Sequence, residues 1–294
     1  MIRFFVFLFF IFSTLFSDQI NSLNSIFHSS NSPRVNSLSG CIFPSDNIGD
    51  VFNNPSNYNF KSSNEVYSSF YGYLNNSVNV FQLAYNISST SKHKINIGFV
   101  SRVINNNYNT VTAYTVNANA IDYEYLNYEN IYEFTDSEVG FLITYDKILG
   151  SFIFNSKIKS SIHSVNNDKA FGLGFDFYIN RQLNDLNFIF GLKDVFFKKW
   201  DSDNIERYNV ETIFGFSFQK GNLFAVFNID NYNTKFGIEY NMFENFFLRL
   251  GYDKYNKHSY GFGIKMILLD LNYSYFQIND LSEDVNQFSI SFNF

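Results

Sequence analysis

From residue 65 to the last residue, apolar and polar side chains alternate along segments of about ten residues. In 151–163, Phe152, Phe154, Ile158 and Ile162 share one face, while Asn155, Lys157, Lys159 and His163 share the other. Further along, Leu186, Phe188, Phe190 and Leu192 oppose Asn187, Gly191 and Lys193, and Val210, Phe214, Phe216 and Phe218 oppose Glu211, Gly215 and Gln219. The last segment sets Phe288, Ile290, Phe292 and Phe294 against Gln287, Ser289, Ser291 and Asn293. A period of two is the strand signal, because successive side chains leave a pleated backbone on opposite faces. The pattern predicts fourteen strands, near 65–73, 77–87, 93–103, 137–147, 150–163, 169–180, 185–197, 209–219, 222–231, 234–241, 246–253, 258–266, 268–277 and 285–294.

The connections fall into two sets. Those at 147–150, 181–184, 219–222 and 241–245 are short, and the opposite set includes the longest, 104–136 and 198–208. An even number of antiparallel strands with short turns at one end and longer loops at the other is the organisation of a transmembrane β-barrel. A soluble all-β sandwich or barrel also alternates, so composition has to decide between them. Charged residues make up only 16% of the chain, against about a quarter in an ordinary soluble domain, while Phe numbers 39 and Tyr 21. An AT-rich genome would enrich the same aromatic and Asn codons, but it would not arrange them in alternation. The polar faces carry mostly Asn, Ser, Gly and Gln, where a solvated face would carry Lys, Glu and Asp. That arrangement places lipid against the aromatic face and a polar lumen behind it.

The first 17 residues have one positive charge at Arg3, an apolar run over 4–12 and small residues at Ser13 and Ser17, the order of an export leader, with cleavage expected after Ser17. No later apolar run approaches 18 residues, so crossing a membrane falls to a closed barrel. Export and a barrel together predict the outer membrane of a diderm bacterium. Between leader and barrel, 18–64 is rich in Ser and Asn, and reads either as a plug folded into the lumen or as a periplasmic tail. The domains are therefore 1–17 leader, 18–64 plug or periplasmic segment, and 65–294 barrel. Trp200, Tyr208, Tyr252, Tyr255 and Tyr260 lie near strand ends, as amphipathic rings of a headgroup girdle do.

Candidate chemistry is sparse. Cys41 is the single cysteine, read as a small apolar residue, and no Cys/His cluster suggests a metal. His28, His93, His163 and His258 stand in separate segments without a G-x-S-x-G or H-E-x-x-H motif, so an enzyme is not expected, nor a cofactor. Asp201, Asp203 and Glu206 lack the glycine and ligand spacing of a calcium loop and read as a solvated acidic loop. The net charge of −6 and pI near 5.2 offer no footprint for nucleic acid. Glu239, Arg249, Lys265 and Asp270 fall on the inward faces of four successive strands, as a register-fixing salt-bridge ladder or a wall that guides a solute.

The C-terminal half, 236–253 with a G-x-E-Y strand and L-R-x-G-Y, then 259–294 with G-x-G-x-K and a terminal S-x-x-x-F, resembles the PorV/PorQ outer-membrane proteins. Segments 143–159, 171–179 and 188–196 are similar to the family's middle strands, and 39–58 to the segment before its first strand. This chain departs in having Asn54-Pro55-Ser56 for Asn-Pro-Ala, Leu271-Asn272-Tyr273 in the Asp-Tyr strand, and only Gly40 and Gly49 in the glycine-rich stretch. The resemblance implies a fourteen-stranded barrel like that of long-chain fatty-acid transporters, with 18–64 as the plug and Asn54, Pro55 and Tyr58 closing a tight turn in it. It also implies a part in type IX protein secretion, in which the barrel binds or hands over secreted cargo through outer loops such as 104–136. Expected partners are outer-membrane lipid and type IX components or cargo proteins. The alternatives are a passive transporter for hydrophobic small molecules and a structural outer-membrane protein.

Overall fold

The computed structural model describes residues 26–27, 30–57, 60, 64–110, 128–231, 233–254, 258–278 and 283–294. The leader 1–17 therefore lies outside the described residues, as do Tyr58, Tyr255 and most of the 104–136 connection. The strands are β1 (Glu65–Tyr73), β2 (Val78–Ser89), β3 (His93–Asn109), β4 (Tyr132–Leu149), β5 (Phe152–Val165), β6 (Asp168–Leu183), β7 (Leu186–Trp200), β8 (Ile205–Arg207), β9 (Glu211–Lys220), β10 (Leu223–Ile229), β11 (Thr234–Phe243), β12 (Phe246–Asp253), β13 (Ser259–Lys265), β14 (Leu269–Ile278) and β15 (Glu283–Asn293). Every strand but β8 pairs antiparallel with its chain neighbours in the ring, and β1 pairs with β15, so fourteen strands close a barrel. The short β8 folds back on the outer end of β7 as a fifteenth strand.

Alternation explains which face is which. On β5, Asn155, Lys157, Lys159 and Ser161 are buried, while Ile158 and Ile162 are 51% and 54% exposed. Phe171 on β6 and Phe214 on β9 are exposed to a similar degree. A water-soluble barrel would bury the isoleucines and phenylalanines and hydrate the lysines, since burying a lysine costs far more than burying an apolar chain gains. The reverse arrangement is that of a barrel whose outer face meets lipid. Tyr252 and Tyr260 lie on this outer face. Tyr208, expected in the girdle, instead turns into the lumen, because its N–H donates to the Phe196 carbonyl and its ring meets that of Phe196 at 5.0 Å.

One bulge reverses the phase within a strand. Asp176 of β6 stands opposite both Lys193 and Asp194 of β7, so the outward residues change from Leu186, Phe188, Phe190 and Leu192 to Val195 and Phe197. Asp194 absorbs the extra residue at φ +58°, a conformation aspartate tolerates, and its N–H donates to Asp176 at 2.9 Å. Turns at one end are only two or three residues long, 90–92, 150–151, 184–185, 221–222, 244–245 and 266–268. At the other end β3 and β4 run further than the sequence suggested, which shortens the longest connection to 110–131.

Among the described residues before β1, 26–27 and 30–57 lie against the inner wall as a plug. Helix α1 (Pro33–Ser37) starts where Ser32 accepts the Val35 N–H and Pro33 supplies the first helical φ. It ends at Gly40, φ +69°, whose N–H donates to Val35 C=O at 2.9 Å. A 3-10 turn, Ile48–Phe52, follows under an Asn47 cap.

Candidate functional site

The site is the lumen, where plug and inner wall meet. The plug is held in two halves on opposite walls. Under α1, the inward positions of β11, β12 and β13 are Gly237, Gly251 and Gly261, and no larger residue would fit. A Cβ on Gly251 would lie 2.5 Å from the Ser39 nitrogen, and one on Gly261 2.7 Å from Ser37 Cβ. These are the glycines of the G-x-E-Y, L-R-x-G-Y and G-x-G-x-K motifs; in this chain they form the floor that lets α1 approach the wall. Ser39 then bonds Ser259 at 2.9 Å, Asn36 donates to Gln287 at 2.7 Å, and Val35, Leu38, Cys41 and Phe43 pack against Phe224 and Val226.

Arg34, which sequence reasoning missed, joins plug to wall. It donates to both Glu239 oxygens, at 3.0 and 2.9 Å, and to Asp50 at 3.4 Å, while lying over the rings of Phe43 and Phe224. Burial alone would lower its pKa, but Glu239 and Asp50 outweigh that and raise it, so the guanidinium stays charged. Glu239 also accepts from Arg249, its register partner on β12, at 2.5 Å. Asp50 is further bonded by Ser32 and Ser45. Of the four wall charges singled out, Glu239 and Arg249 thus pair, but the line continues through Arg34 into the plug. Arg249 turns to Asn272, 2.8 Å away on β14, rather than to Asp270. Lys265 and Asp270 are register partners at the short-turn end, where Lys265 is exposed and Asp270 buried. The Ser32-Pro33 pair, a helix-start signal, marked the place where Arg34 could have been found.

The second half of the plug rests on β4 to β6. Lys157, fully buried, donates to the carbonyls of Val51 at 2.7 Å and Asn54 at 3.0 Å. Asp146 accepts from the Ser56 hydroxyl at 2.7 Å, and Asn180 donates to Ser56 C=O at 3.2 Å. Asn54 and Pro55 are placed in a closed loop, where Ser45 N–H donates to Pro55 C=O and Asn57 N–H to Ser45 C=O, both at 2.9 Å. Tyr58, named with them, lies outside the described residues. The space left between plug and wall beside Asp50, Asn54, Lys94 and Asn96 is about 10 Å³.

Nearer the outer mouth the inner wall carries two kinds of surface. One is a belt of paired polar groups: Arg102 and Lys198 on Glu138 at 2.8 and 2.9 Å, Lys159 on Asp176 and Asp194 at 2.7 and 2.8 Å, and the His163 ring hydrogen-bonded to Asp136 at 2.7 Å. The other is an apolar column. It begins at the mouth with Tyr73, Tyr71, Phe276 and Val285, passes Ile26 and Phe27 of the plug beside Val100, Phe196 and Tyr208, and reaches Leu142 and Phe52 below. Acidic loop residues are dispersed: Asp203 pairs with exposed Lys199, and Glu206 accepts the Trp200 indole N–H at 2.7 Å. No group of three or more His, Cys, Asp or Glu that could hold a metal ion occurs among the described residues.

No family model matches the chain, and no curated protein matches it. Solved structures do. The toluene transporter TbuX of Ralstonia pickettii is similar over 91% of this chain and 99% of its own, at 9% identity and a TM-score of 0.60. The Pseudomonas putida toluene transporter TodX is similar over 94% of this chain and 99% of its own, at 9% identity and a TM-score of 0.59. A TodX deltaS2S3 mutant described as a monoaromatic hydrocarbon channel gives a TM-score of 0.56 at 8% identity. These likenesses show the fold, a closed antiparallel barrel of fourteen strands, which is the architecture the PorV/PorQ resemblance implied. The narrower assignment to PorV/PorQ and to type IX secretion draws no support from them.

Proposed function

We propose that this protein is a passive outer-membrane channel for hydrophobic small molecules. The observation that carries the reading is the apolar column from Tyr73 and Tyr71 at the mouth to Phe52 of the plug, which runs beside a belt of paired charges on the same inner wall. A hydrophilic porin lines its path with polar groups and water; a hydrocarbon is instead stabilised along rings and aliphatic chains, by about 25 cal/mol per Å² of apolar surface taken from water. The similarity to barrels described as toluene transporters supports the same reading. Because the plug fills the lumen, passage requires movement of residues such as Ile26 and Phe27, and the column is where the solute waits.

The test is uptake of radiolabelled toluene, the probe, by diderm cells lacking their own hydrocarbon channel, with and without this protein. Expression should raise toluene uptake and leave a hydrophilic sugar excluded, and Phe196→Gln should reduce the gain while the barrel still folds. A barrel that captures secreted proteins in a pull-down and leaves toluene uptake at background would overturn the channel reading in favour of the secretion role implied by the resemblance.

A further inference from the structure

On the outer face of β1, β15, β14 and β13, aligned residues form rows that run across the strands. Ser68, Ile290, Leu271 and Ile264 are register neighbours in one row, and Phe70, Phe288, Tyr273 and Phe262 in the next row toward the outer mouth. The second row is a wall of rings: Phe262 to Tyr273 is 5.2 Å between centroids, and Tyr273 to Phe288 is 5.0 Å. The first row is lower, with aliphatic Ile264, Leu271 and Ile290 ending in the small, polar Ser68. Between them lies a trough of about 430 Å³, within the range of small-molecule sites. Strands lie about 4.8 Å apart, so four of them make a trough about 14 Å long.

We propose that this trough is a binding site for one acyl chain of a membrane phospholipid. The occupant follows from position. The trough lies inside the band of exposed Phe, Ile and Leu that faces lipid all round the barrel, so hydrocarbon chains are what its surroundings supply. The wall of rings beside the small Ser68 leaves a recess in this part of the band. A chain lying in the trough contacts ring edges on one side and branched aliphatics beneath, and so gains dispersion contacts that a chain on a flat wall lacks. The Tyr273 hydroxyl donates to Asn286 at 2.6 Å, so its polar end is already satisfied on the side toward the outer mouth.

Ser68→Phe fills the trough with a side chain suited to lipid, and Leu271→Phe does so from β14 should Ser68→Phe fail to insert. Ser156→Phe, on the outer face of β5, adds the same bulk away from the trough. Each full-length barrel is purified in mild detergent, its folding checked by gel mobility, and its bound lipid identified by native mass spectrometry. Wild type and Ser156→Phe should carry one phospholipid, and the trough-filling variants about tenfold less. Equal phospholipid in all variants, no lipid on wild type, or a free hydrophobic solute in its place would overturn the proposal.

Discussion

Replacing Arg34 by Ala tests whether the Asp50–Arg34–Glu239–Arg249 line is what keeps the plug docked. Removing one partner of a buried ion pair costs about 3–5 kcal/mol when the other charge is left uncompensated. Here Glu239 keeps Arg249, and Asp50 keeps Ser32 and Ser45, so the loss belongs near the lower end, about 3 kcal/mol. That corresponds to roughly a hundredfold larger population with the plug released. The single cysteine reports it directly. Cys41 sits in the plug, is fully buried against Phe224 and Val226, and burial pushes its thiol up to about 12. Docked, it neither meets a maleimide nor ionises; released, it returns toward the ordinary value of about 8.5 and reacts. Labelling of folded Arg34→Ala barrels at mildly alkaline pH should therefore be about a hundredfold faster than wild type. Unchanged labelling, with gel mobility showing an intact barrel, would refute the assignment of plug retention to this line.

Two further outcomes probe the other half of the plug and the membrane face. Lys157→Met removes the donor to the Val51 and Asn54 carbonyls, at about 1–3 kcal/mol for each buried acceptor left bare, so tryptic cleavage after Arg34 should quicken in barrels that remain folded. Phe216→Arg places a charge on the exposed face of β9, beside Phe227 at 5.4 Å. It should cost about 2–4 kcal/mol if that face meets the bilayer midplane, read as a lower urea midpoint in lipid vesicles; no change would mean that the face does not meet lipid.

The strands were legible because lipid imposes a simple rule on one face and a plugged lumen imposes its opposite on the other. Residues 65–73 and 246–253 were placed to the residue, and most other boundaries fell within two or three. What failed to show was whatever depended on a contact far away in sequence. Nothing local says that Lys193 and Asp194 must both face inward; that follows from Asp176 on the neighbouring strand. Glu239 and Arg249 could be paired from register, since they flank one turn, but their continuation to Arg34 crosses 205 residues. Tyr208 was put in the girdle because it stands near a strand end, and the backbone bond that turns it inward comes from Phe196. The motif glycines were visible as a resemblance; only the docked helix shows why a Cβ is excluded at each.

The seam between β1 and β15 brings the two ends of the chain together around the plug. The plug precedes the first strand, and Asn36 bonds Gln287 on the last, 251 residues away. A ring that already held β1 against β15 could admit α1 only through an open end. The chain wraps itself around its own beginning: β4 to β6 and β11 to β13 each offer the plug its contacts, and β15 both shuts the ring and adds the bond from Asn36 to Gln287. Contacts of such separation make closure slow, so plug variants should betray themselves first in the rate of assembly and only afterwards in the finished barrel.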